Sequence, residues 1–141
     1  RAYAAWYGRR IGAAARGLAI RLPTQREWIA AAGSTIHRRF TFGASFRPRW
    51  AKSCFARPVP GIEPVLSYAV DESPFGVRDL AGSVCEWTED EERGLGRLCG
   101  GSWASAKPEM FEIWYSVFVQ ADKGYSESGI RLVAVPGGAG R

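Results

Sequence analysis

Pro74-Phe75-Gly76-Val77-Arg78-Asp79-Leu80-Ala81-Gly82-Ser83-Val84-Cys85-Glu86-Trp87-Thr88 is the stretch on which the reading of this chain turns. Glycines, two carboxylates and apolar residues alternate there more densely than anywhere else. Upstream, over residues 34–74, hydrophobic periodicity fades and Gly, Pro and aromatics are interspersed. That pattern predicts loops with short strands. So long an irregular stretch inside a compact domain is commonly functional or held by a metal. Further upstream, Tyr3, Trp6, Tyr7, Ile11, Ala14 and Ala15 recur at helical spacing, predicting a first helix over residues 1–16 that stops at Gly17. Thr24 followed three residues later by Glu27 is a capping box, so a second helix runs to about Ala32 and ends at Gly33. Downstream, Arg97–Trp103 and Ile130–Val135 read as strands, and Pro136–Arg141 as a mobile tail.

The chain has 141 residues, enough for one domain. Its 46% hydrophobic content is that of a globular domain. No apolar run reaches the length of a membrane span. The first residues lack the apolar core and cleavage site of a signal peptide, and no initiator methionine opens the chain, so it is expected to begin inside a longer protein. The net charge of +5 rests largely on arginine, yet no nucleic-acid-binding signature accompanies it. The arginines are therefore read as a solvated surface with ion pairs. The three cysteines, Cys54, Cys85 and Cys99, lack the spacing of a zinc site. They read as small buried apolar residues, with a pairing of Cys54 to Cys99 or Cys85 left open. His37, the one histidine, reads as surface or structural.

Four segments in order carry a resemblance: Arg21-Leu22-Pro23-Thr24 through Glu27-Trp28, the opening stretch, Gly100-Gly101-Ser102-Trp103, and Gly129-Ile130-Arg131-Leu132-Val133. Together they resemble the sulfatase-modifying-factor family, which includes the formylglycine-generating enzymes, over residues 2–134. The resemblance implies an α+β, C-type-lectin-like domain over residues 1–135: two helices, a small twisted antiparallel sheet and much irregular chain. The family has strands ahead of its first helix. Here either the chain is trimmed or another segment completes the sheet.

The resemblance also implies what the chain lacks. Formylglycine-generating enzymes bind copper through two cysteines shortly after the Gly-Gly-Ser motif. Those positions fall here at Ser105 and Met110, neither of which supplies a thiolate, so no copper and no catalytic residues are expected. Cys99 precedes the motif and Cys85 stands where the family has tryptophan. Residues 104–128 are dense in aromatics and small hydroxyl residues. In the resembling variable proteins of diversity-generating retroelements, the hypervariable ligand-binding surface occupies this interval. Phe111, Ile113, Tyr115, Tyr125, Ser126 and Ser128 are reachable from asparagine codons by adenine replacement; Met110 and Trp114 are not. Tyr and Trp give large rigid contact area and Ser adaptable hydrogen bonds. Ser105, Phe111, Ile113, Trp114, Tyr115, Tyr125 and Ser126 are therefore expected to form one exposed patch, although core packing by the same aromatics, Val117 and Phe118 is the competing reading. The family's calcium is expected at Asp79, Gly82, Val84 and Glu86, whose carboxylates and carbonyls are hard oxygen donors. A second family calcium site falls near Lys52 and Ser53, where its asparagine is absent.

The leading function is therefore a ligand-binding module with a diversified surface, its partner a protein or cell-surface ligand. The alternatives are a family enzyme of altered chemistry, with Ser105 as nucleophile but no base beside it, and a regulatory domain fused to an upstream domain such as a kinase.

Overall fold

Thr24 and Glu27 decide where the main helix begins. In the computed structural model, which describes residues 1–33 and 38–137, α2 spans Gln25–Ala32. Thr24 Oγ1 accepts from the Glu27 N–H at 3.2 Å, and Glu27 Oε2 accepts from the Thr24 N–H at 2.8 Å. Both halves of the capping box are thus formed. Arg21 grips the same carboxylate with two bonds of 2.7 Å. Gly33 closes the helix in the left-handed region, φ 105°. Trp28 and Ala32, one turn apart, are the buried face.

The Arg21 bonds, then the Thr24 N–H, pull the Glu27 carboxyl down to about 2. A lowered folded-state value means stability that is present above the ordinary carboxylate range and lost as pH falls toward 2. Glu27→Gln should therefore lose about 1 kcal/mol at neutral pH, a cap-sized effect, because the site is partly exposed and its charge term is screened. The gap to wild type should close on acidification. Urea titrations at pH 7 and pH 3 check this; an equal deficit at both would contradict it.

The first helix is shorter than its periodicity predicts. α1 spans Ala2–Arg10. Gly12 then takes φ 63°, a 3-10 turn follows at Ala14–Arg16, and Gly17 takes φ 67°. Two left-handed glycines bracket the last turn and break a continuous helix. β1, Leu18–Arg21, pairs antiparallel with β6, Val133–Pro136. The Gly137 N–H donates to the Gly17 carbonyl at 2.7 Å. Pro136 and Gly137 thus belong to this ribbon and not to a tail. Residues 138–141, like His37, lie outside the described residues.

The second sheet has the order β4-β3-β2-β5. β2 is Cys85–Glu92, β3 Leu95–Cys99, β4 Ser116–Gln120 and β5 Ser128–Ile130. β2 and β3 form a hairpin whose loop, Arg93-Gly94, has positive φ at both residues (53° and 79°). That conformation matches the twist of the flanking strands. β5 runs parallel to β2, while the other pairs are antiparallel. β3 ends earlier than predicted, because Gly100 turns left-handed at φ 79°. The predicted Ile130–Val135 strand divides into β5 and β6, with Arg131 between them reaching to Glu86.

Registers assign the sheet two faces. Glu86, Cys99 and Ser116 share one; Trp87, Leu98 and Val117 share the other. The first rests on α2: Trp28, Ala32, Leu80, Cys99 and Ile113 make one core cluster. A second joins Phe40, Ala51, Ala81 and Phe111, with Phe42 and Phe46 against it. It holds residues 38–84, which contain no helix or strand, only two isolated bridges. Asp71 ties the same region. It is 1% exposed, accepts from the Thr41 hydroxyl at 2.8 Å and from the Ala81 and Gly82 N–H groups, and burial pushes its carboxyl up to about 6. Gly101 is pinned against this second cluster. A Cβ there would meet the Phe111 ring at 2.7 Å and the Ala81 carbonyl at 2.9 Å. Among the described residues the cysteines are free, and no helix is long and apolar enough to cross a membrane.

Candidate functional site

The turn after Gly-Gly carries two buried hydroxyls. The Ser105 N–H donates to the Ser102 carbonyl at 3.0 Å, and the Ser102 N–H donates to Ser105 Oγ at 2.9 Å. This reciprocal pair stacks the side chains, whose oxygens lie 3.2 Å apart. The Ser102 hydroxyl also donates to Glu127 Oε2 at 2.9 Å, joining the turn to the chain entering β5. The Ser105 carbonyl accepts from the Cys54 N–H at 3.2 Å.

Above this turn lies a cleft of about 230 Å³. Leu98, Val117 and Val119, from the sheet face away from α2, line it together with Cys85. Ser102, Ser105, Met110 and Glu127 contribute further lining, and so do Tyr115, Tyr125 and Ser126. Tyr125 also leans on Trp87, ring centres 6.2 Å apart. The Cys85 thiol is pushed up to about 11 by burial and then by the Glu127 charge. It is protonated at neutral pH and neither a strong nucleophile nor a ready metal ligand.

The expected patch is thus only partly assembled. Ser105, Tyr115, Tyr125 and Ser126 meet in the cleft, with Ser105 at 2% exposure. Phe111 and Ile113, each 1% exposed, are core and not surface. A 3-10 turn at Pro108–Phe111 swings Phe111 inward, where its ring stacks on Phe46 at 4.9 Å. Ile113 packs beside Trp28 and Leu80, and its N–H donates to the Arg39 carbonyl. Trp114 is 50% exposed but lies outside the cleft, its indole N–H donating to Glu112. Phe118 is exposed, under the Arg97 guanidinium. Sequence reasoning missed Cys85, Ser102 and Glu127. The β2–β3 hairpin brings Cys85 beside the motif through a register that shifts between Trp87 and Glu91, an irregularity that no residue pattern marks.

Of the calcium set, Asp79, Val84 and Glu86 line one pocket together with Arg131. Glu86 Oε2 accepts from Trp28 Nε1 at 2.7 Å and Arg131 Nε at 2.9 Å, and Oε1 accepts from Arg131 Nη2 at 2.8 Å. Arg131 Nη2 also donates to the carbonyls of Arg78 and Asp79. The Asp79 carboxylate accepts from the Leu66 N–H, and the Gly82 carbonyl from the Val84 N–H. A guanidinium thus stands among the donors that calcium would need. Among the described residues no group of three or more His, Cys, Asp or Glu comes together as a metal site; the set that the resemblance implies, two carboxylates with two carbonyls, is of another kind. Near Ser53, the buried Lys52 ammonium pairs with Glu63.

The sulfatase-modifying factor enzyme 1-like domain matches residues 1–135. The inactive C-alpha-formylglycine-generating enzyme 2 of Bos taurus is 30% identical over 117 residues, covering 73% of this chain and 35% of that protein. The serine/threonine-protein kinase pkn1 of Chlamydia caviae is 34% identical over 89 residues, covering 62% of this chain and 12% of the kinase. The chain therefore spans an eighth to about a third of these curated relatives' length. Among solved structures, PvdO from Pseudomonas aeruginosa superposes with TM-score 0.75 at 19% identity, covering 92% of this chain and 56% of that one. Treponema denticola variable protein 1 superposes with TM-score 0.65 at 22% identity, covering 84% and 48%. At those identities the likeness is one of fold.

Proposed function

This chain belongs to the sulfatase-modifying factor enzyme 1-like domain family, and on that premise we propose that its cleft binds a ligand without oxidising it. One observation carries the reading. The resemblance puts the copper thiolates at Ser105 and Met110, and both side chains line the cleft. The one cysteine lining that space, Cys85, is held as a thiol. A neutral hydroxyl and a single neutral thioether do not supply the two anionic sulfurs of a bis-thiolate copper site. The matched relative from Bos taurus is itself named inactive. Tyr115, Tyr125 and Ser126 sit at the cleft, inside the interval that varies in the resembling variable proteins, and these three positions are the diversified contact surface of this reading. Phe111 and Ile113 are its fixed support.

The test is direct. Purified protein, copper-loaded and aerated, is incubated with a cysteine-bearing sulfatase peptide, and the peptide mass is followed. No change is expected. Appearance of the aldehyde would overturn the non-catalytic reading.

A second reading is favoured by the kinase match: a domain of this kind serving as the recognition module of a larger protein, such as a kinase. It is compatible with the first, since the cleft would then select what the attached domain acts on.

A further inference from the structure

The cleft is neutral except at one point. Its lining consists of aliphatic side chains, hydroxyls, two tyrosines, a thioether, a protonated thiol and a single carboxylate, Glu127. Glu127 Oε2 is steadied by the Ser102 hydroxyl. Oε1 has no hydrogen-bond or ion-pair partner among the described residues. The chain as a whole carries +5, yet among the described residues no arginine or lysine lines this cleft. Glu127 is exposed at the rim of the cleft, and its charge there is opposite in sign to that of the whole chain.

Resting on the ligand-binding reading above, we infer that the cleft takes an organic ammonium group, held by Glu127 between Tyr115 and Tyr125. Three features select that class. A cation gains from a carboxylate and from aromatic faces in the same space. A guanidinium would want both carboxylate oxygens for its planar fork, but Oε2 already accepts from Ser102; the compact ammonium needs one. A volume of about 230 Å³ lies below the range of drug-sized pockets and suits a single side chain or small amine. The ammonium's three donors then have Glu127 Oε1 and nearby hydroxyl oxygens as acceptors. The same chemistry could arrive as a lysine side chain on a protein or as a free amine.

NMR titration of the labelled protein, paired with calorimetry, distinguishes these. The probes are Nα-acetyl-lysine methylamide, cadaverine and the neutral Nα-acetyl-norleucine methylamide. The lysine probe should shift the amides of Tyr115, Tyr125 and Ser126 and bind about tenfold or more tighter than the norleucine probe. Added salt should weaken it. Glu127→Gln, which keeps an acceptor for Ser102, should remove that preference while leaving the melting midpoint near wild type. Ser126→Arg, which sets a competing cation at the rim, provides a second variant should Glu127→Gln fold poorly, and should likewise abolish lysine binding. Tighter binding of the lysine probe than cadaverine supports a presented side chain; the reverse supports a free amine. Equal binding of the norleucine probe, or undiminished binding to Glu127→Gln, overturns the ammonium assignment but leaves a ligand-binding cleft. No shift with any probe overturns it too, and the peptide-mass measurement then decides the non-catalytic reading by itself.

Discussion

Arg131→Met will cost about 3–5 kcal/mol of folding stability, because it strands a buried charge. Glu86 is 6% exposed and is held by two Arg131 bonds and one from Trp28. Taking away the guanidinium leaves the carboxylate with the indole N–H alone, and frees the Arg78 and Asp79 carbonyls that Arg131 Nη2 had bonded. Burial raises the Glu86 carboxyl, and Arg131 draws it back down. Without Arg131 it rises further. A raised folded-state value means stability that is full at low pH and lost as pH increases. The Arg131→Met deficit should therefore shrink on acidification, as the Glu27→Gln deficit does, but here because the variant regains stability and not because the wild type loses it. The double variant Glu86→Gln with Arg131→Met should recover part of the loss, since a neutral amide is far cheaper to bury. Denaturant titrations of the four proteins at two pH values test this. An Arg131→Met deficit that is small or independent of pH would show the pair to be dispensable.

Phe111→Ala will cost a similar amount, about 3–5 kcal/mol. The ring is 1% exposed, stacks on Phe46 and fills the space against Gly101. Its removal opens a cavity under the irregular chain, which has no strand or helix of its own to hold it. Trp114→Ala, three residues on, should cost under about 1 kcal/mol, because the indole is 50% exposed. The contrast is the informative quantity. Similar losses at both positions would mean that Trp114 is as much a part of the core as Phe111.

What was legible in the sequence was whatever a few neighbouring residues decide. Thr24 and Glu27 fix the start of α2 through bonds that span three residues, and Gly33 fixes its end. The loop-rich character of residues 38–84 followed from their Gly and Pro content. The motifs and their order carried the fold. What failed depended on contacts distant in sequence. Glu86 stands beside Asp79 in the motif, and no local pattern shows Arg131 arriving from 45 residues away. Phe111 and Ile113 have the composition of a binding surface, but a single 3-10 turn sends Phe111 inward, and only the packing partners reveal it. β4 hides in the same interval, because the alternation of Ser116–Gln120 is faint and its pairing with β3 is non-local.

The parallel β2–β5 pairing has an engineering consequence. Residues 121–127 leave the sheet at its β4 edge and return at β5, beside β2, so both ends of the loop are hydrogen-bonded to a common framework. Ala121–Gly124 are exposed. Foreign peptide spliced there would be presented from two fixed anchors at the rim of the cleft, making the domain a graft recipient whose loop can be rewritten without redrawing its core.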